Sequence, residues 1–228
     1  MKPVSLEKFL DQLDNELAWR EKEIDLLKKR ISESDLDTDL RAGVVLLYAH
    51  WEGFVKSVIN KYIKFVASKR LRLDELDDCF IALALKKECR ELQESKKTAV
   101  YIKAVEFMLN RLSEQANIPY EKGDKKENKN LDEKEKVDEK EIKTSNLKFK
   151  VLKEFLLTIG LTWPSDELNE KRIDFLVNTR NDIAHGKQKY IDKNTLTDLF
   201  TEITRMIRNI QTDIFDAAEQ KSYKRRAI

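Results

Sequence analysis

Residues 44–66 read VVLLYAHWEGFVKSVINKYIKFV, and wound as a helix this segment is apolar on most sides. A surface helix shows one apolar stripe. A helix apolar nearly all round must be central in its fold or shared with a partner chain. Whatever surrounds this segment must therefore be amphipathic and must sheath it. The flanks supply such elements. Leu6, Leu10, Leu13, Leu17, Ile24, Leu27 and Ile31 recur at helical spacing after Ser5, a predicted N-cap. Leu196, Leu199, Phe200, Ile203, Ile207, Ile210 and Ile214 do the same after Asp192, predicted to cap the last helix. The central helix is predicted from near Leu36 to about Lys69, with SESDLDTD breaking the chain before it.

The fold class expected is all-α. Five Gly and three Pro in 228 residues leave few breaks, whereas a β-sandwich or a doubly wound α/β fold needs many more turns. We expect an up-and-down bundle of four to five main helices, one domain over residues 1–228, interrupted by a charged insertion at 119–145. Glu121 to Lys143 hold eight lysines and nine acids in 23 residues, too few apolar groups to offset the entropy of ordering. That stretch is expected to be a flexible insertion. Residues 74–116 are expected to continue helically, with a break near Glu94 to Lys97. Beyond the insertion, NLKFKVLKEFLLTIG stops at Gly160. Pro164 and Ser165 mark a new start, with Asp166 and Glu167 in its first turn, where the helix dipole favours acids; Gly186 marks its end. The closing KSYKRRAI reads as a short solvated basic tail.

Charge and composition narrow the function classes less sharply. A net charge of +2 leaves any basic surface to be local. No apolar run approaches about 18 residues, so no membrane span is expected. The opening MKPVSLEKFLDQLDNEL turns charged and amphipathic at once, and the expected location is cytoplasmic. Cys79 and Cys89, ten apart, form no metal or redox motif and read as ordinary core or boundary residues. The two histidines, His50 and His185, are 135 apart with no H-x3-H or H-E-x-x-H, which disfavours a metal-dependent hydrolase. No metal and no cofactor are expected.

The segment LVNTRNDIAHGKQKY, Leu176 to Tyr190, is the exception to this blandness. With Ile173 at zero and about 100° per residue, Leu176, Val177, Ile183 and Ala184 define a buried stripe, and Arg180 falls at about −20°, inside it. An arginine there needs a carboxylate, helix-end carbonyls or an anionic ligand such as phosphate, because an unpaired buried charge is expensive. Asn181 and His185 share the flank of the stripe, four residues apart, and Asp182 faces solvent. The same pattern serves either a structural ion pair with a helix-end histidine or an anion site.

Arg180-Asn181-Asp182-Ile183-Ala184-His185 resembles the R-x4-6-H signature of the HEPN superfamily, the higher eukaryotes and prokaryotes nucleotide-binding domains. A polar residue directly after the arginine is typical of that signature. LRAGVVLLYAHWEGFVKSVINKY, residues 40–62, is similar to the second helix of stand-alone bacterial MAE-type HEPN nucleases. The resemblance covers roughly residues 5–115 and 145–218. It implies a helical bundle, usually dimeric, with the two R-x4-6-H motifs facing each other across the interface. It also implies metal-independent endoribonuclease activity in toxin–antitoxin, anti-phage or RNA-processing systems, with an antitoxin or defence-system partner; other members bind nucleotides, RNA or proteins without catalysis. Some toxin members carry a tyrosine two residues after the histidine. Here that position is Lys187, and the nearest tyrosine is Tyr190.

The chemistry implied is attack of an RNA 2′-hydroxyl on the adjacent phosphorus, which needs a base, an acid and stabilised phosphoryl charge. His185 suits proton transfer, Arg180 suits two phosphate oxygens at once, and Asn181 suits a hydrogen bond to phosphate or imidazole. Glu52 and Asp182 are candidates for orienting these groups from behind. Tyr48 and Trp51 read as core aromatics, and His50 falls off the core centre of its helix. The rival readings are a non-catalytic binding module and a structural helical adaptor.

Overall fold

The structure, a computed structural model, describes residues 3–34, 36–86, 89–90, 97–120, 146–163 and 167–225. Seven α-helices are assigned among them: α1 (Leu6–Glu33), α2 (Asp37–Ser68), α3 (Asp78–Ala84), α4 (Thr98–Arg111), α5 (Phe149–Leu157), α6 (Glu167–Ala184) and α7 (Lys193–Glu219). No strand occurs among the described residues, where extended pairing is limited to two isolated bridges, Arg72 with Gln115 and Leu76 with Lys224. The fold is an all-α bundle, as expected. Of the stretch 119–145 only Pro119 and Tyr120 are described, so the expected insertion lies outside the described residues, as do the Pro164–Asp166 helix start and the break near Glu94.

The sheath forms around α2 as its pattern requires. Sixteen α2 residues are buried, and they line nearly the whole length of the helix. α1 doubles back on α2 as an antiparallel hairpin: Phe9 stacks on Phe65 at 4.5 Å near one end. Near the other end a Cβ on Gly43 would meet Ile31 Cδ1 at 3.1 Å and Leu196 Cδ2 at 3.2 Å. That glycine lets α1 and α7 close on α2 together. α7 runs antiparallel to α1, tied by Arg208 to Glu21 at 2.5 Å and Gln211 to Asp14 at 2.7 Å. α6 completes the cover, with Asn169 accepting from Arg205 of α7 at 2.9 Å. The caps fall where the sequence predicts them: Ser5 accepts from Lys8 N, and Asp192 accepts from Thr195 N. Gly160 and Gly186 take positive φ, 76° and 77°, at the ends of α5 and α6.

Residues 74–116 are less continuous than expected. A 3₁₀ turn (Leu73–Glu75), α3 and α4 share that stretch. α4 buries none of its residues and exposes Tyr101, Ile102, Val105, Phe107 and Leu109.

One charged group lies inside the α1–α2 seam. Arg20 is 8% exposed and is held by Glu16 Oε1 through Nε at 3.0 Å and Nη2 at 2.7 Å, while Nη1 donates to the His50 carbonyl at 3.3 Å. Lys61 donates to the other Glu16 oxygen at 2.6 Å. Burial alone would raise the Glu16 carboxyl, but hydrogen bonds from Lys61 and Arg20 overcome it and hold the group below its ordinary value. A Cβ on Gly53 would meet Arg20 Nη1 at 3.0 Å, so the glycine makes room for the guanidinium. Removing the carboxylate strands a buried cation. Glu16→Ala is expected to cost about 3 kcal/mol in urea unfolding, and Lys61→Ala, at the more exposed end, about 1 kcal/mol or less.

Candidate active site

The last turn of α6 and the middle of α2 build the site. Ile173, Leu176 and Val177 are fully buried and hold α6 to the bundle. Its last turn runs out beyond that cover: Ile183 is half-buried, Ala184 and His185 are exposed. Ala184, predicted within the buried stripe, is therefore outside it, and Thr179, at 2% exposure, is buried. Gly186 closes the helix, with its N–H donating to the Ile183 carbonyl and Lys187 N–H to Asp182 O, both at 3.0 Å.

Arg180 lies at the margin of the core, with 23% of its side chain exposed. Its guanidinium carbon sits 3.9 Å from the centroid of the Tyr48 ring, a cation–π stack. Nη1 donates to Asn181 Oδ1 at 2.9 Å. Nη2 is 3.7 Å from Glu52 Oε2, an ion pair too long for a hydrogen bond. Glu52 also accepts from Lys56 at 3.0 Å through Oε1. The structure thus brings Arg180, Asn181 and Glu52 together. His185 follows in the turn after α6, exposed to solvent, with its N–H donating to the Asn181 carbonyl at 2.9 Å.

Asp182 goes elsewhere. It lies on the outer side of the turn, as its phase on the helix predicts, and the chain after Gly186 folds back to place the exposed Lys187 Nζ at 2.8 Å and Lys189 Nζ at 3.6 Å from its oxygens. The Lys187 hydrogen bond holds its carboxyl below the usual range.

A guanidinium held by an amide and an aromatic face, and partly open to solvent, can take an anion, and an exposed imidazole in the following turn can carry a proton. The family model described as RiboL-PSP-HEPN matches residues 15–216, which include most of α1, all of α2 and α6, the Arg180–His185 segment and most of α7. The chain belongs to this HEPN family. No curated protein and no solved structure gave a match. HEPN membership points to a nuclease or RNA-related function, in a superfamily whose domains often bind RNA and dimerise. Among the described residues of this HEPN chain no helix is long and apolar enough to cross a membrane, and no three His, Cys, Asp or Glu side chains gather in a way that could hold a metal ion.

Sequence reasoning took Tyr48 for a core aromatic and missed its contact with Arg180. Tyr48 and Glu52 are four apart on α2 and so share a face. That spacing was the available signal. Beside Glu52, α2 leaves Ala42, Leu46 and Ala49 exposed, a strip that the remaining helices do not cover.

The second histidine is buried rather than off the core. His50 is 6% exposed because Trp19 of α1 packs edge-on against it at 5.7 Å. Its Nε2 lies 3.3 Å from Glu23 Oε2, and its buried Nδ1 has no hydrogen-bond partner. Burial, and then the Arg20 charge, push its pKa down, against a smaller opposing pull from Glu23. The unfolded imidazole takes a proton as pH falls below about 6.5, whereas the folded one resists. Stability is therefore expected to fall from pH 7 toward pH 5, and His50→Gln should flatten that part of the urea-midpoint profile. An unchanged slope in the variant would mean that another group carries the loss.

Proposed function

We propose that the protein is a metal-independent endoribonuclease that cuts RNA by attack of the 2′-hydroxyl on the neighbouring phosphorus. The observation that carries the reading is the state of Arg180: oriented by Tyr48, Asn181 and Glu52, yet with its carboxylate partner at 3.7 Å. A guanidinium held in place but not saturated is suited to two phosphate oxygens and to the charge that grows on them in the transition state. His185, exposed one turn on, transfers the proton between the 2′-hydroxyl or the leaving 5′-oxygen and solvent. Asn181 keeps Arg180 in register and can turn its amide to phosphate. Glu52 holds the arginine from α2 until phosphate arrives. Asp182, engaged by Lys187 and Lys189, acts through the fold of the turn that carries His185.

The reaction needs both a base and an acid, and each chain offers one histidine in the motif. The reading therefore includes a homodimer with the two Arg180–His185 motifs facing each other. The uncovered α2 strip of Ala42, Leu46 and Ala49, adjacent to Glu52, supports that arrangement. A setting in a toxin–antitoxin or anti-phage system, with an antitoxin or defence partner, rests on the HEPN family alone.

The test is cleavage of end-labelled mixed-sequence RNA in EDTA. The parent is expected to cut, leaving 2′,3′-cyclic phosphate and 5′-hydroxyl ends, and to spare DNA of the same sequence. Arg180→Ala and His185→Ala are each expected to lose at least about 100-fold in rate. Tight RNA binding with no cutting by the parent would replace the nuclease with the non-catalytic binding module. In sedimentation, Leu46→Asp is expected to dissociate the dimer and to abolish cutting with it. A variant that is monomeric and fully active would remove the facing-motif part of the reading.

A further inference from the structure

Tyr48 is the residue on which the orientation of Arg180 turns. The guanidinium carbon lies 3.9 Å from the centroid of its ring, Nη1 donates to Asn181 Oδ1 at 2.9 Å, and the ion pair to Glu52 is longer than a hydrogen bond. The ring itself is clamped. Its hydroxyl accepts from the Leu147 N–H at 3.0 Å, and one turn further along α2 the Trp51 indole donates to the Leu147 carbonyl at 3.4 Å. Two residues on, the Phe149 N–H donates to Asp174 of α6 at 2.9 Å. Leu147 and Phe149 are themselves buried, at 0% and 1% exposure. The extended strap of residues 146–148 thus ties α2 to α6 beneath the arginine, and the phenol is locked at both its ring and its oxygen.

We propose that Tyr48 is a positioning residue for the ribonuclease reaction: its ring presents an aromatic face that aims the Arg180 guanidinium at the scissile phosphate. The inference rests on the reading of Arg180 as the phosphate ligand. An arginine side chain has four rotatable bonds and loses affinity for each orientation it must give up on binding. A ring stacked under the guanidinium removes much of that freedom beforehand, and it does so without occupying the N–H donors that point away from the ring edge. A carboxylate at hydrogen-bond distance would fix the arginine equally well but would compete with the substrate for those donors.

The experiment has two arms, both run on the full chain with Tyr48→Phe, Tyr48→Leu, Arg180→Ala and the Tyr48→Leu/Arg180→Ala double variant. The first arm reads the Arg180 Nε–Hε resonance in the free protein. A guanidinium over a ring face is shielded, so this signal is expected upfield in the parent and in Tyr48→Phe, and at its ordinary position in Tyr48→Leu. The second arm measures binding of a 2′-O-methyl oligonucleotide, which cannot be cut, in EDTA. Tyr48→Leu is expected to weaken binding about tenfold, the scale of a partly desolvated cation–π contact, with Tyr48→Phe close to the parent. In the Arg180→Ala background the same substitution is expected to change binding by less than about twofold, because a residue that acts through Arg180 has nothing left to position.

Equal weakening in both backgrounds would make Tyr48 a structural residue and overturn the inference while leaving the nuclease reading intact. An Arg180 signal indifferent to the Tyr48→Leu change would overturn it as well, since the stack would then not hold the side chain. If Arg180→Ala altered neither binding nor cutting, the ribonuclease reading itself would fall and Tyr48 would be left packing a structural arginine. Tyr48→Met, closer to tyrosine in volume, supplies the same comparisons should Tyr48→Leu fail to fold.

Discussion

A helix with apolar side chains on nearly every face cannot stand at a surface, and α2 imposes its own surroundings. Gly43, Leu47, His50, Trp51, Val55, Ile59 and Ile63 are all buried, and at about 100° per residue they spread over more than half of the helix circumference, more than one neighbour can cover. α1, α6 and α7 each take one side, and each brings a stripe of the matching width. The close approach of α1 and α7 near Gly43 is a consequence of that crowding, since three helices meet there around a position with no side chain. What remains among the described residues is a narrow exposed strip of small and apolar residues, Ala42, Leu46 and Ala49, three residues from Glu52 on the same helix.

Two arginines meet α2, and the contrast between them separates structure from function. Arg20 is nearly inaccessible, and its charge is matched at hydrogen-bond distance by Glu16, shared with Lys61, and by a main-chain carbonyl. Gly53, with no side chain, leaves the space that the guanidinium fills. Such a group is satisfied and has nothing to offer a ligand. Both guanidinium groups stack on a ring, Arg20 on Trp19 at 4.3 Å and Arg180 on Tyr48 at 3.9 Å, but beyond that Arg180 has one side-chain amide and a carboxylate too distant to hydrogen-bond. It is oriented without being neutralised, and part of it remains in contact with water. The difference lies in the partners, since the residue type and the supporting helix are the same.

The bundle was legible because its signals are local and repeated. Stripes at Leu6–Ile31 and Leu196–Ile214, caps at Ser5 and Asp192, and glycines at 160 and 186 all stand where the sequence puts them. The approach of Arg180 to the core was legible for the same reason, from its phase on α6. Where the reading missed, the cause was an element from elsewhere in the chain. His50 is buried because Trp19 covers it, and no pattern within α2 foretells that neighbour. Ala184 is exposed because a wheel assumes cover along the whole helix, whereas the cover ends before the last turn. Tyr48 was assigned to the core correctly by its burial, and only the meeting of α2 with α6 reveals its second contact.

Packing and chemistry make the same demand on the α2 strip. Moving a proton from a 2′-hydroxyl and delivering one to a 5′-oxygen within one displacement calls for two groups on opposite sides of the phosphorus. A single exposed imidazole can serve one side at a time. An uncovered apolar strip, for its part, is relieved when a second surface of the same kind is laid on it, and a two-fold axis through such a strip sets each residue beside its own copy. Because Glu52, the ion-pair partner of Arg180, lies three residues from Ala49 on α2, a pairing made to hide Leu46 and Ala49 would on the proposed reading draw the two Arg180 sites toward each other. On the proposed reading, dimerisation is then a part of the active site, and the helix that dictates the fold dictates the stoichiometry of catalysis as well.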